Sequence, residues 1–121
     1  MKCSALLASA VFSLAAVAQP TNGFPASSTV ATAQDLNAHL SGKTFRAVYA
    51  DGTRVQSRFA ADGSLSASAP GFSDSGQWRA EDGRVCGSLR TSGEFCNEAR
   101  FDAGTLYLRR MNGEVVRYTP N

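Results

Sequence analysis

From Lys43 to the C-terminus, apolar and polar side chains alternate in short runs, each broken by a small or polar residue followed by glycine. The breaks fall at Asp51-Gly52, Asp62-Gly63, Pro70-Gly71, Asp82-Gly83, Ser92-Gly93, Ala103-Gly104 and Asn112-Gly113. Seven such turns separate eight strands. A spacing of about 8–12 residues with no helical period between turns is the pattern of all-β meanders, sandwiches and barrels. The expected fold is all-β, an eight-stranded, antiparallel, up-and-down barrel, although the spacing also admits a two-sheet sandwich.

Because side chains alternate across a strand, the apolar residues name the inward face. The expected inward sets are Phe45, Ala47 and Tyr49; Val55 and Phe59; Leu65, Ala67 and Ala69; Trp78 and Ala80; Val85, Gly87 and Leu89; and Phe95, Ala99 and Phe101. A two-residue turn at Asp82-Gly83 sets Trp78 opposite Gly87 and Ala80 opposite Val85, so a large ring faces a position without a side chain. Around Asn112-Gly113 the parity is ambiguous, since Leu106 and Leu108 oppose Tyr107 and Met111, and Val115-Val116 is apolar on both faces. The run Ser64 to Ala69, with one large side chain, reads as a thin edge strand. Pro70 to Ser75 reads as the longest loop, with Phe72 its recognition candidate beside Asp74.

Cys86 and Cys96 fall on the same polar face of neighbouring strands. That places them within reach of a disulfide, and closing so short a loop contributes roughly 3 kcal/mol in the chain-entropy model. A metal site needs further Cys or His ligands and a redox pair commonly shows C-x-x-C; neither pattern is present.

The N-terminal segment changes the picture of compartment. Lys2, an apolar run from Ala5 to Val17, and Ala16-Val17-Ala18 before Gln19 make residues 1–18 a secretory signal peptide, too short in its apolar run to span a membrane. Cys3 leaves with it, so the cysteine count becomes even in an oxidising compartment, periplasmic or secreted. Residues 19–31, rich in proline and small polar residues, read as a flexible tail. Residues 32–121 read as one domain. It opens with Thr32 capping a short N-terminal helix over 33–40 that carries His39, the single histidine, on its solvated side.

Composition supplies little chemistry. The twelve basic residues are nearly all arginine and are almost balanced by ten acidic ones, so no nucleic-acid stripe is implied. Arg46, Arg54 and Arg58 share one face of the first hairpin and form an anion-binding candidate. Glu94 and Glu98 stand about 13 Å apart along a strand, too far for a carboxylate pair. There is no G-x-S-x-G, no phosphate loop before a helix, and His39 has no evident catalytic partner. No catalytic residue, metal or cofactor is expected.

Gly76-Gln77-Trp78, Asp82-Gly83, Cys86 and Cys96, within Gly42 to Tyr118, resemble the Gly-x-Trp … Cys … Cys pattern of small exported proteobacterial proteins in a domain family of unknown function. The resemblance implies a calycin-like barrel and no activity. Gly-x-Trp also resembles the lipocalin and avidin signature, but there it stands on the first strand and here on the fourth. Ser75-Gly76 resembles the start of the Ser-Gly-x-x-Tyr motif of bacterial C-type lysozyme inhibitors, which this chain does not complete.

The expected function is an exported, non-enzymatic binding barrel for a small apolar molecule or a protein partner, using Phe72, Asp74, Trp78, Arg46, Arg54 and Arg58. The alternative is a periplasmic inhibitor of a cell-wall-degrading enzyme such as lysozyme, acting through residues 70–75 and the arginine face. A packed interior would count against the first, and a protruding 70–75 loop would favour the second.

Overall fold

A computed structural model describes residues 23–121; the expected leader, its cleavage site, Cys3 and residues 19–22 lie outside the described residues. In chain order the elements are β1 (Thr29–Val30), α1 (Ala33–Leu40), β2 (Lys43–Val48), β3 (Arg54–Phe59), β4 (Ser64–Ala69), β5 (Phe72–Glu81), β6 (Arg84–Leu89), β7 (Gly93–Asp102), β8 (Thr105–Arg109) and β9 (Val115–Pro120). Strands β2 to β9 each pair antiparallel with the next in sequence. β9 then returns to β2 through Phe45↔Pro120 and Arg46↔Thr119, which closes an eight-stranded barrel.

Hairpin chemistry sets the registers. At the β5–β6 turn Gly83 takes φ 80°, a conformation glycine adopts without strain. The register places Trp78 opposite Gly87 and Ala80 opposite Val85, as the alternation predicts. The expected inward residues Phe45, Ala47, Phe59, Leu65, Trp78, Val85 and Ala99 are buried. Tyr49, Ala80, Leu89, Phe95 and Phe101 pack against that core. The ambiguous last hairpin resolves with Leu106, Leu108, Val116 and Tyr118 inward, through the pairs Leu106↔Tyr118 and Leu108↔Val116.

One end of the barrel is plugged. Thr32 Oγ1 accepts the Asp35 N–H at 3.1 Å and so caps α1, while Asp82 Oδ1 accepts the Ala33 N–H at 2.8 Å and ties the helix start to the β5–β6 turn. An isolated eight-residue helix is marginal in water. What holds α1 is the burial of Leu36 and Leu40, both fully buried, each contributing about 1.5–3 kcal/mol. Beneath them Phe45, Phe59, Trp78 and Tyr118 form an aromatic floor, with ring centroids 5.4 Å apart for Phe59 and Trp78 and 6.3 Å apart for Phe59 and Tyr118.

Four expectations need correction. The tail is packed from Gly23 onward. β6 reaches only to the Arg84↔Glu98 pair, so the last residues of β7 would present an open edge there. β1 takes that edge through Thr29↔Phe101 and Val30↔Arg100, and Ala31 continues it by donating to Ala99 O and accepting from the Gly83 N–H. Phe24 is buried between the guanidinium carbons of Arg100 and Arg109, 5.0 and 4.8 Å from its ring centre.

β4 is not an edge strand, because β3 and β5 pair with it on both sides. The 70–75 stretch is not a loop. The chain reverses tightly at Pro70-Gly71, and Phe72 to Ser75 already belong to β5, paired with Ser66 to Ala69. His39 is half-buried rather than solvated. Its ring stacks on Phe45 at 5.2 Å and meets Phe101 edge-on at 5.1 Å, and burial together with nearby Lys43 lowers its pKa below the ordinary value.

Candidate functional site

The up-and-down order sends successive turns to alternate ends, so the β2–β3, β4–β5, β6–β7 and β8–β9 turns all gather at the end opposite α1. They ring a cavity of about 590 Å3 that descends into the lumen. Its wall is apolar, formed by Val55, Leu65, Ala67, Val85, Leu89, Phe95 and Leu108, and its floor is Phe59 with Tyr118. β4 contributes only the small side chains of Ala67 and Ala69 and one large one, Leu65, to this lining. The small side chains expected to mark an edge instead line the cavity.

Polar residues also line the cavity, among them Ser57, Glu94, Asn97, Arg110 and Tyr118. Tyr118 is hydrogen-bonded to Ser57, and burial pushes its phenol well above the ordinary value of 10, with Tyr49 adding to the rise. It therefore stays neutral. Asn97 lines the cavity, and its Oδ1 is buried with no hydrogen-bond partner among the described residues. At the rim Arg110 lies over the Tyr49 ring at 3.6 Å and donates to Glu114 Oε2 at 2.5 Å. The other oxygen of Glu114 accepts the Ala50 N–H. This clamp ties two rim turns together and neutralises the one arginine in the cavity lining.

A concave, largely apolar site of this kind has room for an apolar body. No protein-family model matches the chain, and no curated protein matches it. The site must therefore be read from its own groups. Among the described residues no cluster of three or more His, Cys, Asp or Glu is placed to hold a metal, and no helix is long and apolar enough to cross a membrane. His39 lies at the plugged end, across the aromatic floor from the cavity.

Of the residues singled out from the sequence, Phe72 stands at the cavity rim, 45% exposed. Trp78 is buried in the floor, with its indole N–H donating to Ala60 O at 2.9 Å. Arg46, Arg54 and Arg58 share the outer face of the β2–β3 hairpin; Arg46 and Arg54 line one groove there, and Arg58 lines a second with Arg90. The Cys86–Cys96 disulfide is formed between directly paired residues of β6 and β7. Tyr118, Ser57, Asn97 and Arg110 were missed, although the parity of Ser57 between Val55 and Phe59 already pointed it inward.

Asp74 is a brace. Its carboxylate accepts from the Ser75 N–H, from the Thr91 and Ser92 N–H groups, and from the Ser92 hydroxyl, so it holds the β6–β7 turn onto β5 beside the mouth. Burial works to raise its pKa, but the hydrogen bonds from Thr91, Ser92 and Ser75 outweigh it and bring the value from 3.8 down to about 2. A pKa lower in the folded than in the unfolded chain gives stability that is present above 3.8 and is lost as the pH falls toward about 2. Asp74→Asn is expected to melt lower than the wild type at neutral pH, with the gap shrinking through that window. Thermal melts at a series of pH values check this, and a gap that does not change with pH would remove the brace.

Proposed function

We propose that this is an exported, non-enzymatic barrel of the kind the Gly-x-Trp … Cys … Cys resemblance implies, and that it holds a small, largely apolar molecule in its lumen. The observation that carries the reading is the unfilled cavity of about 590 Å3, within the usual range of small-molecule sites, closed below by an aromatic floor and open at one rim. A disulfide between adjacent strands fits an oxidising compartment. The inhibitor reading drew on the arginine face and on a protruding 70–75 loop, of which Phe72 to Ser75 are paired strand residues.

Native mass spectrometry of the mature protein purified from its own cell envelope, with Nile red as a neutral apolar probe, tests the reading. A co-purifying mass or saturable one-to-one dye binding is expected. Ala67→Trp, which places a large ring in the lumen, is expected to weaken dye binding about tenfold or more while the melting temperature holds. A clean protein mass with no saturable dye binding would overturn the ligand reading and direct attention to protein recognition, beginning with lysozyme inhibition.

A further inference from the structure

Barrel closure brings together on the outer wall three arginines that the sequence keeps far apart. Arg46 on β2, Arg54 on β3 and Arg117 on β9 line one groove of about 660 Å3, together with Gln56, Ser68 and Thr119. Exposed Val48 lies at its centre, directly opposite Arg54 and two residues along β2 from Arg46. Arg46 pairs with Thr119, so Arg117 lies two residues from it on the strand flanking β2 on the other side. With neighbouring strands about 5 Å apart and two residues spanning about 7 Å, three guanidinium groups surround a spot that one small anion can touch.

What distinguishes them is their shared groove rather than the lack of an ion pair, which Arg58, Arg90 and Arg100 share. Arg79 and Arg84 are paired with Glu81, Arg109 with Glu98 and Arg110 with Glu114. Arg46, Arg54 and Arg117 form no ion pair among the described residues, and no carboxylate lines their groove. The three like charges stand exposed on one face with no carboxylate in the groove lining to offset their mutual repulsion.

We propose that this groove binds the phosphate group of a small soluble molecule, independently of the lumen. Three cations exceed what a single carboxylate balances, whereas a phosphate dianion offers enough oxygens for several guanidinium forks. The groove is larger than a bare phosphate, and the Gln56 amide and the Ser68 and Thr119 hydroxyls are there for the rest of the molecule. No aromatic ring lines the groove to stack a base, which disfavours single-stranded nucleic acid. A recess with Val48 as its one large exposed apolar residue is poorly shaped for a bilayer surface.

The test is a titration of the mature protein, followed by amide NMR shifts, with inorganic phosphate and with glycerol phosphate. Chloride at matched ionic strength and vesicles of anionic phospholipid serve as separate arms. Saturable shifts centred on Gln56, Ser68 and Thr119 are expected with both phosphates and not with chloride, tighter for glycerol phosphate. Arg54→Glu and Arg117→Ala are expected to weaken binding about tenfold or more, while Arg58→Ala, outside the groove, and Ala67→Trp, in the lumen, leave it unchanged. Shifts that do not saturate, an equal loss in Arg58→Ala, or vesicle binding without a phosphate response would overturn the proposal.

Discussion

Gly76→Ala is expected to lower the stability of the barrel by at least about 3 kcal/mol, enough to leave a domain of this size largely unfolded in mild urea. A Cβ at Gly76 would stand 1.8 Å from Ser88 O, 2.8 Å from Ser88 C and 2.9 Å from Leu89 Cα. These are backbone atoms of the neighbouring strand, so no side chain can rotate away to make room. β5 and β6 must separate where the Arg90 N–H donates to Ser75 O and where Asp74 holds the turn above. Gly71 is the control. Nothing lies within 4 Å of its missing Cβ, so Gly71→Ala meets only the conformational cost of φ 72°, about 1–2 kcal/mol. Urea titrations of the two variants separate crowding from backbone strain. Equal midpoints would mean that β5 and β6 do not approach so closely.

Removing the disulfide is the second large effect. Cys86 and Cys96 are 10 residues apart, and the chain-entropy model gives about 3 kcal/mol for releasing a loop of that length. The double variant Cys86→Ala, Cys96→Ala is expected to lose about that much, with the same loss when the wild type is reduced. Alanine suits position 86 because that side chain is fully buried, and serine would leave a hydroxyl there without water. Intact mass should show the wild type two hydrogens lighter than its reduced form. Free thiols in the folded, exported protein would contradict the staple.

Local signals carried the barrel. Each hairpin turn ends in a glycine, the alternation between turns names the inward face, and the registers at Trp78↔Gly87 and Cys86↔Cys96 follow from counting across two turns. Phe95, on the other side of β6, crowds Gly87 as well: its Cζ would stand 2.8 Å from an added Cβ.

What stayed hidden depends on distant parts of the chain. Asp74 points inward on a strand because its partners, Thr91 and Ser92, are in another turn, and that polar residue disguised the alternation from Phe72 to Ser75. His39 is half-buried because Phe45 and Phe101 come to it from separate strands. Arg117 joins Arg46 only because β9 returns to β2. The N-terminal segment carries no periodicity because its paired stretch is two residues long.

That short segment bears on the order in which the molecule assembles. Ser27 donates to Asp102 across 75 residues of chain, and Thr29 and Val30 pair with strand residues nearly as remote. These contacts must wait until almost the whole domain has been delivered, and long-range contacts form slowly because they close large loops. Through that interval the first residues of the folding unit stay unpaired while the hairpins behind them zip locally. Their docking is thus a final latch, and limited proteolysis during refolding should find the chain before Ala31 cleavable after the hairpins have become resistant.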